Sequence, residues 1–177
     1  MDWDEQLFAL LDDLEQQAEA LYDAERESEL GDRSRAEYAT VTLASRLMAS
    51  LETPLVLHVT GVGAVAGRLQ RVGADWCLLH GPAQDWVVRT SAIGAVLGAS
   101  ERSVPEVAWS PVTRLGFGSA LRRIADAGER CLMHGTDGSS RDVVLTRVGS
   151  DFVEATMGEG RPVLLALGQV AAVQSRR

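Results

Sequence analysis

Three histidines are the side chains of this chain best suited to bind a metal ion. His58, His80 and His134 each lie in an apolar, strand-like stretch, and His58 and His134 occupy matching positions 76 residues apart. A zinc site needs three or four converging ligands, commonly cysteines and histidines at short spacings. The nearest such spacing is Cys131 to His134, and no further ligand follows it. We therefore predict polar strand positions here, with no metal and no cofactor.

Acid–base and nucleotide-binding chemistry have equally little support in the sequence. Asp75 and Asp151 each follow a turn glycine by two residues, where a carboxylate often closes the turn by a hydrogen bond to the backbone. The glycine-rich stretch 61–67 lacks the lysine and hydroxyl residue of a phosphate-binding loop, and a strand continues from it. No serine stands in the Gly-x-Ser-x-Gly pattern of a nucleophile elbow. We expect no catalytic residues and predict that the protein is not an enzyme.

Arginine supplies the basic charge of the chain, since the sequence has no lysine. Six arginines in the strand-rich part could form a face for an anion or a nucleic acid: Arg68, Arg71, Arg89, Arg141, Arg147 and Arg161. Residues 1–50, however, hold 13 acidic side chains against four arginines, and the net charge of the chain is −8. Affinity for nucleic acid depends largely on neutralising phosphates. The composition therefore disfavours nucleic acid as a partner.

The last two-thirds of the chain contains an internal repeat. Residues 69–76, Leu-Gln-Arg-Val-Gly-Ala-Asp-Trp, recur as residues 145–152, Leu-Thr-Arg-Val-Gly-Ser-Asp-Phe, at a shift of 76 positions. One residue is then gained, and Ile93–Val96 matches Val170–Val173. A repeat of this length indicates one structural unit used twice. We expect residues 44–96 and 120–173 to share one backbone path.

The elements that hold these residues follow from hydrophobic periodicity. Leucines at helical spacing predict a helix over residues 4–30, and a second helix follows from Ser34 to Leu51. Each repeat then shows a helix followed by five short apolar stretches separated by glycine turns. We predict an α+β protein with an N-terminal helical hairpin, although one bent helix stays open as an alternative. The predicted domains are an acidic hairpin (1–51), a first strand unit (52–98), a connector (99–112) and a helix with a second strand unit (113–177).

Two stretches of the first repeat show a more specific pattern. Gly67–Val72 runs Gly-x-hydrophobic-x-x-hydrophobic, and Trp86–Ile93 forms a short corner between two strands. They resemble the two motifs of Sm-like proteins, the small β-barrels of the Sm, LSm and Hfq type. The resemblance implies two tandem five-stranded Sm-like or SH3-like barrels, each preceded by a helix. It also implies an RNA site, but neither repeat has the family's asparagine between strands 2 and 3 or an aromatic ring at the corner.

The N-terminal helix carries an apolar stripe with acidic flanks, which must be buried somewhere. The stripe could pack on the strand units of its own chain, or it could form an interface with a second copy or another protein, as in a coiled coil. Aromatic residues often anchor such interfaces. The candidate interface residues are Trp3, Leu7, Phe8, Leu11, Leu14 and Leu21.

The remaining features bear on location and function. The acidic N-terminus differs from a basic signal peptide, and no run approaches the roughly 20 apolar residues of a membrane helix. Cys77 and Cys131 each lie in an apolar stretch, which indicates buried, reduced thiols. We therefore expect a cytoplasmic protein. The sequence favours a non-enzymatic interaction or regulatory protein that acts through protein–protein contacts or as a homodimer; the alternative is an RNA- or DNA-binding regulator of Sm-like type.

Overall fold

The computed structural model describes residues 35–176 and, before them, positions 16, 17, 19, 21, 22, 26 and 33. The chain divides into two compact units, Met1–Val41 and Thr42–Arg177. In the first unit, the described positions up to residue 38 are helical, and residues 39–40 form a turn. Among the described residues, no helix has the length and apolar content that crossing a membrane requires.

The predicted second helix, residues 34–51, is interrupted in the structure. Residues 39–42 are not helical, and a new helix, α1, begins after them and spans Leu43–Met48. Thr42 starts this helix through a capping box: its hydroxyl accepts from the Ser45 N–H, and the Ser45 hydroxyl accepts from the Thr42 N–H, both at 3.1 Å. The predicted end of the first helix, at residue 30, lies outside the described residues. The prediction of an N-terminal helical hairpin with coiled-coil character is wrong, because strands dominate the part of the chain that the structure describes and the helices delimited there are short.

The second unit contains ten strands and one further α-helix, α2, at Phe117–Ala127. The ten strands are β1 (Pro54–Val59), β2 (Gly63–Val72), β3 (Trp76–His80), β4 (Asp85–Arg89), β5 (Ile93–Leu97), β6 (Arg130–Gly135), β7 (Ser140–Val148), β8 (Phe152–Met157), β9 (Arg161–Ala166) and β10 (Val170–Ser175). They form one antiparallel sheet in the order β5-β1-β2-β3-β4-β10-β6-β7-β8-β9.

The two repeats join edge to edge in this sheet, and the prediction of two separate five-stranded barrels is wrong. β4 of the first repeat pairs with β10 of the second, with Val88 opposite Ala172 and Val87 opposite Val173. Within each repeat, a single 3-10 turn separates the fourth strand from the fifth, and these two strands lie apart in the sheet order. The backbone groups at the edge of β4 are therefore satisfied by the other repeat, and the sheet stays open.

The internal repeat itself is confirmed by strand order and register. Each half of the sheet has its fifth strand first and then strands one to four in sequence. A bulge lies after Leu69 in β2 and after Leu145 in β7, the matching position. The glycine of each repeated turn is also explained, because a Cβ on Gly73 would lie 2.1 Å from the Trp76 ring and one on Gly149 would lie 2.5 Å from the Phe152 ring.

Two hydrophobic clusters form the core, and β10 contributes to both. The first contains Ala171 and Ala172 together with buried side chains of β1–β4, and the second contains Val170 and Val173 together with side chains of α2 and β6–β8. Alternate strand residues face opposite sides of a sheet, and the register shift in β10 modifies this alternation. One strand thus holds the two cores together.

Candidate protein-binding groove

The second unit contains an open groove of about 1130 Å³. The end of α1, strands β2–β4 and the exposed side of α2 line it, together with residues of β6 and β10. Its apolar lining includes side chains that remain accessible, with Val112 60% and Leu115 49% exposed. The other apolar residues of the groove include Met48, Leu51, Val72, Trp76, Leu78, Val87 and Ile124.

Hydrogen bonds from the first repeat fix the position of α2 along this groove. The Asp75 carboxylate accepts a hydrogen bond from the N–H of Phe117, the first residue of α2, at 2.6 Å. Gly116 occupies the N-cap and has no side chain, so Asp75 supplies the missing acceptor from 42 residues away. The Trp76 indole N–H donates to the Leu115 carbonyl at 2.8 Å. A turn-closing role was expected for Asp75, and capping of a distant helix is what the structure shows.

Charges of both signs border the groove. Four acidic side chains and four arginines contribute to its walls: Glu52, Asp85, Asp126 and Glu129, and Arg71, Arg122, Arg123 and Arg130. Arg130 forms an ion pair with Asp142 at 3.3 Å. A nucleic-acid cleft needs an excess of positive charge, whereas a mixed polar rim around apolar residues is the usual composition of a protein interface.

The six arginines proposed for an anion-binding face lie on four different strands. Arg89 is used inside the fold: its guanidinium donates to the Leu167 carbonyl and lies 5.8 Å from the centre of the Phe117 ring. Arg68 donates to the Glu52 carbonyl, and Arg141 donates to the Ser139 hydroxyl. Arg147 lies 4.0 Å from Glu154, and exposed Arg71 is in the groove wall. Arg161 is exposed at the start of β9.

The histidines make contacts with different partners. His134 stacks on Trp86 with ring centres 5.3 Å apart and hydrogen-bonds Gln174, whereas His80 pairs with Asp85 at 2.5 Å. No group of three potential metal ligands occurs within the part of the chain that the structure describes.

Neither cysteine has the properties of a nucleophile. Both thiols are buried and free of a disulfide, as the sequence indicated. Burial raises the pKa of Cys77 to about 12. Burial, aided by the Asp142 charge, raises the pKa of Cys131 to about 11. Since the thiolate is the reactive form, both groups are inert near neutral pH.

The proposed N-terminal interface falls almost wholly outside the described residues. This applies to Trp3, Leu7, Phe8, Leu11 and Leu14. The structure does describe Leu21, which is helical and exposed. Comparison with known protein families and with curated proteins finds no match to this chain. The Sm-like resemblance therefore stays a prediction.

Proposed function

We propose that this protein is a non-enzymatic interaction protein that binds a partner protein through the groove beside α2. The observation that carries the proposal is the pair of accessible apolar side chains, Val112 and Leu115, in a large groove with mixed charges on its walls. Burying apolar surface is the main driving force of protein association, at roughly 25 cal/mol per Å². The acids and arginines would then fix the orientation of the partner.

The partner expected here is an amphipathic segment of another protein. Apolar side chains on one face of a helix or strand would contact Val112, Leu115 and the neighbouring apolar lining, and its polar face would remain in water. Because the groove carries both signs of charge, a partner of mixed charge fits it better than a polyanion. A regulatory role in the cytoplasm would agree with such binding and forms part of the proposal.

Nucleic-acid binding, the alternative function, has weaker support. Arg89, one of its six candidate residues, is engaged by the Leu167 carbonyl and the Phe117 ring. The groove offers no excess of positive charge. A cysteine nucleophile has no support either, because burial keeps both thiols protonated.

Site-specific photo-crosslinking tests the proposed groove. A photoreactive amino acid in place of Val112 should give a discrete protein adduct in cells of the native host, identifiable by mass spectrometry. The same amino acid at Val107, which is 89% exposed in the connector and not part of the groove, is the matched control. The substitution Leu115→Arg should abolish the adduct at position 112. Equal adducts at both positions, or crosslinks to nucleic acid alone, would contradict the proposal.

A further inference from the structure

Glu52, in the turn between α1 and β1, has a backbone conformation that favours glycine. Its φ angle is +62°, in the left-handed region, where a residue with a Cβ is strained. Two hydrogen bonds hold the backbone in place. The Glu52 N–H donates to the Leu69 carbonyl at 2.8 Å, and the Glu52 carbonyl accepts from the Arg68 guanidinium. The fold therefore imposes this conformation whichever side chain the position carries.

The internal repeat places a glycine at the matching position. At the shift of 76, Glu52 corresponds to Gly128, which follows α2 with a φ angle of +66°. Each of the two residues lies two positions before the first strand of its repeat. Glycine adopts this angle without steric cost. The second repeat thus has the residue that the backbone favours, and the first repeat has a glutamate in its place.

The side chain of Glu52 contributes little to the fold. Glu52 is exposed, and within residues 35–176 its carboxylate accepts a single hydrogen bond, from the Gln70 amide at 3.4 Å. That distance exceeds the usual range for an N–H···O bond. Both side chains line the groove. Contacts within the chain therefore do not account for the strained glutamate, and its carboxylate is accessible to a molecule in the groove.

We propose that Glu52 is a specificity-determining residue of the groove and binds a basic side chain of the partner protein. This inference rests on the proposed function and adds the chemistry of the partner. Strained residues concentrate at binding sites, where the surrounding structure holds them in place. A lysine or arginine at the edge of the partner's apolar face would donate charge-assisted hydrogen bonds to the Glu52 carboxylate.

The arginines of the groove limit how basic the partner can be. Arg71, Arg122 and Arg123 are exposed in its lining, and none of them forms an ion pair in the part of the chain that the structure describes. They would repel a uniformly basic segment and attract acidic side chains. The expected partner is therefore an amphipathic segment with a basic side chain for Glu52 and acidic side chains for the arginines. A nucleic acid has no cation to offer Glu52.

The variant Glu52→Gly tests the strain, and Glu159→Gly is its matched control. Glu159 is exposed between β8 and β9, has a φ angle of +63° and does not line the groove. Each substitution removes the same kind of strain, so each should raise the melting temperature by about 2–4 °C. A lower melting temperature for Glu52→Gly would overturn the inference, because the glutamate would then stabilise the fold.

Photo-crosslinking from position 112 measures the contribution of Glu52 to binding. Glu52→Gln keeps the shape without the charge and should lower the yield of the partner adduct about threefold, whereas Glu52→Lys should lower it about tenfold. Glu159→Lys changes the net charge equally and should leave the yield unchanged. In the purified partner identified by mass spectrometry, exchanging the basic residue nearest the crosslink for glutamate should restore binding to Glu52→Lys.

The outcomes separate this inference from the groove itself. An adduct whose yield is unaffected by Glu52→Lys would overturn the inference and leave the proposed function intact. Absence of a protein adduct at position 112 in the chain with native Glu52 would overturn both. Crosslinks to nucleic acid that increase with Glu52→Lys, or an adduct between two copies of this acidic chain that does so, would show that the occupant is repelled by the carboxylate and would also overturn the inference.

Discussion

Asp75 and Asp151 show how one repeated residue can have two different roles. Asp75 accepts a hydrogen bond from the first N–H of α2, whereas the carboxylate of Asp151 accepts one from the hydroxyl of its neighbour Ser150, at 3.4 Å. The difference arises because a helix follows the first repeat and begins beside Asp75. A carboxylate at a helix N-terminus is stabilised both by the free N–H groups and by the helix dipole.

Replacing Asp75 should therefore cost more stability than replacing its counterpart. We expect Asp75→Ala to lower the free energy of unfolding by about 1 kcal/mol, the usual effect of losing an N-cap. Asp151→Ala should change it by less than about 0.5 kcal/mol, as for an ordinary surface substitution. Urea denaturation of both variants measures the difference. Equal losses would show that the contact with Phe117 adds nothing to stability.

The buried thiols should make stability fall at alkaline pH. The pKa of Cys77 rises from an ordinary 9.0 to about 12 in the folded chain, so above pH 9 only the unfolded chain loses this proton. The unfolded state then binds fewer protons, and the free energy of unfolding decreases as pH rises, by up to about 1.4 kcal/mol per pH unit for one thiol.

The variant Cys77→Ala isolates this effect. It lacks the ionisable group and should lose less stability than the wild type between pH 8 and pH 10, as measured by urea denaturation under reducing conditions. Cys131, whose pKa is about 11, remains in both proteins and acts as the internal reference. Parallel pH dependences of the two proteins would show that ionisation of Cys77 does not limit stability.

At the scale of elements, local patterns predicted the strands well. β1 alternates buried Leu55, Leu57 and Val59 with more accessible residues, and the glycine turns separate the strands that the sequence indicated. The break before α1 was missed because its capping box uses Ser45 at the position where glutamate or glutamine is the usual signal. A serine hydroxyl is less diagnostic in a sequence, although it makes the same hydrogen bond.

The pairing of β4 with β10 could not be read from local patterns. Val87 and Val173 are 86 residues apart. The apolar stretch around each of them would suit a buried strand whichever strand it pairs with. The apolar groove was missed for the same reason, because Trp76 and Leu115 meet only after α2 is placed on the first repeat. The repeat revealed that two units exist, whereas long-range pairing decides how they join.

At the scale of the second unit, the shared strand β10 makes the stability of each repeat depend on the folding of the other. Val170 and Val173 pack in one core, and Ala171 and Ala172 pack in the other. Unfolding of either repeat would remove one of the two strands that pair with β10, β4 or β6, and would leave the backbone groups on that edge of β10 unpaired. A single cooperative transition is therefore expected, as for a small single domain, in place of two independent ones.

The matched positions Leu69 and Leu145 test this dependence. Both side chains are almost fully buried, one in each core, and each lies at the bulge of its repeat. Leu69→Ala and Leu145→Ala should each lower the free energy of unfolding by about 2–5 kcal/mol. In calorimetry, each should shift one common transition of the second unit to lower temperature. If Leu69→Ala instead split the transition, so that the second repeat still melted at the wild-type temperature, β10 would not couple the cores, and the junction would be a contact between two domains that fold separately.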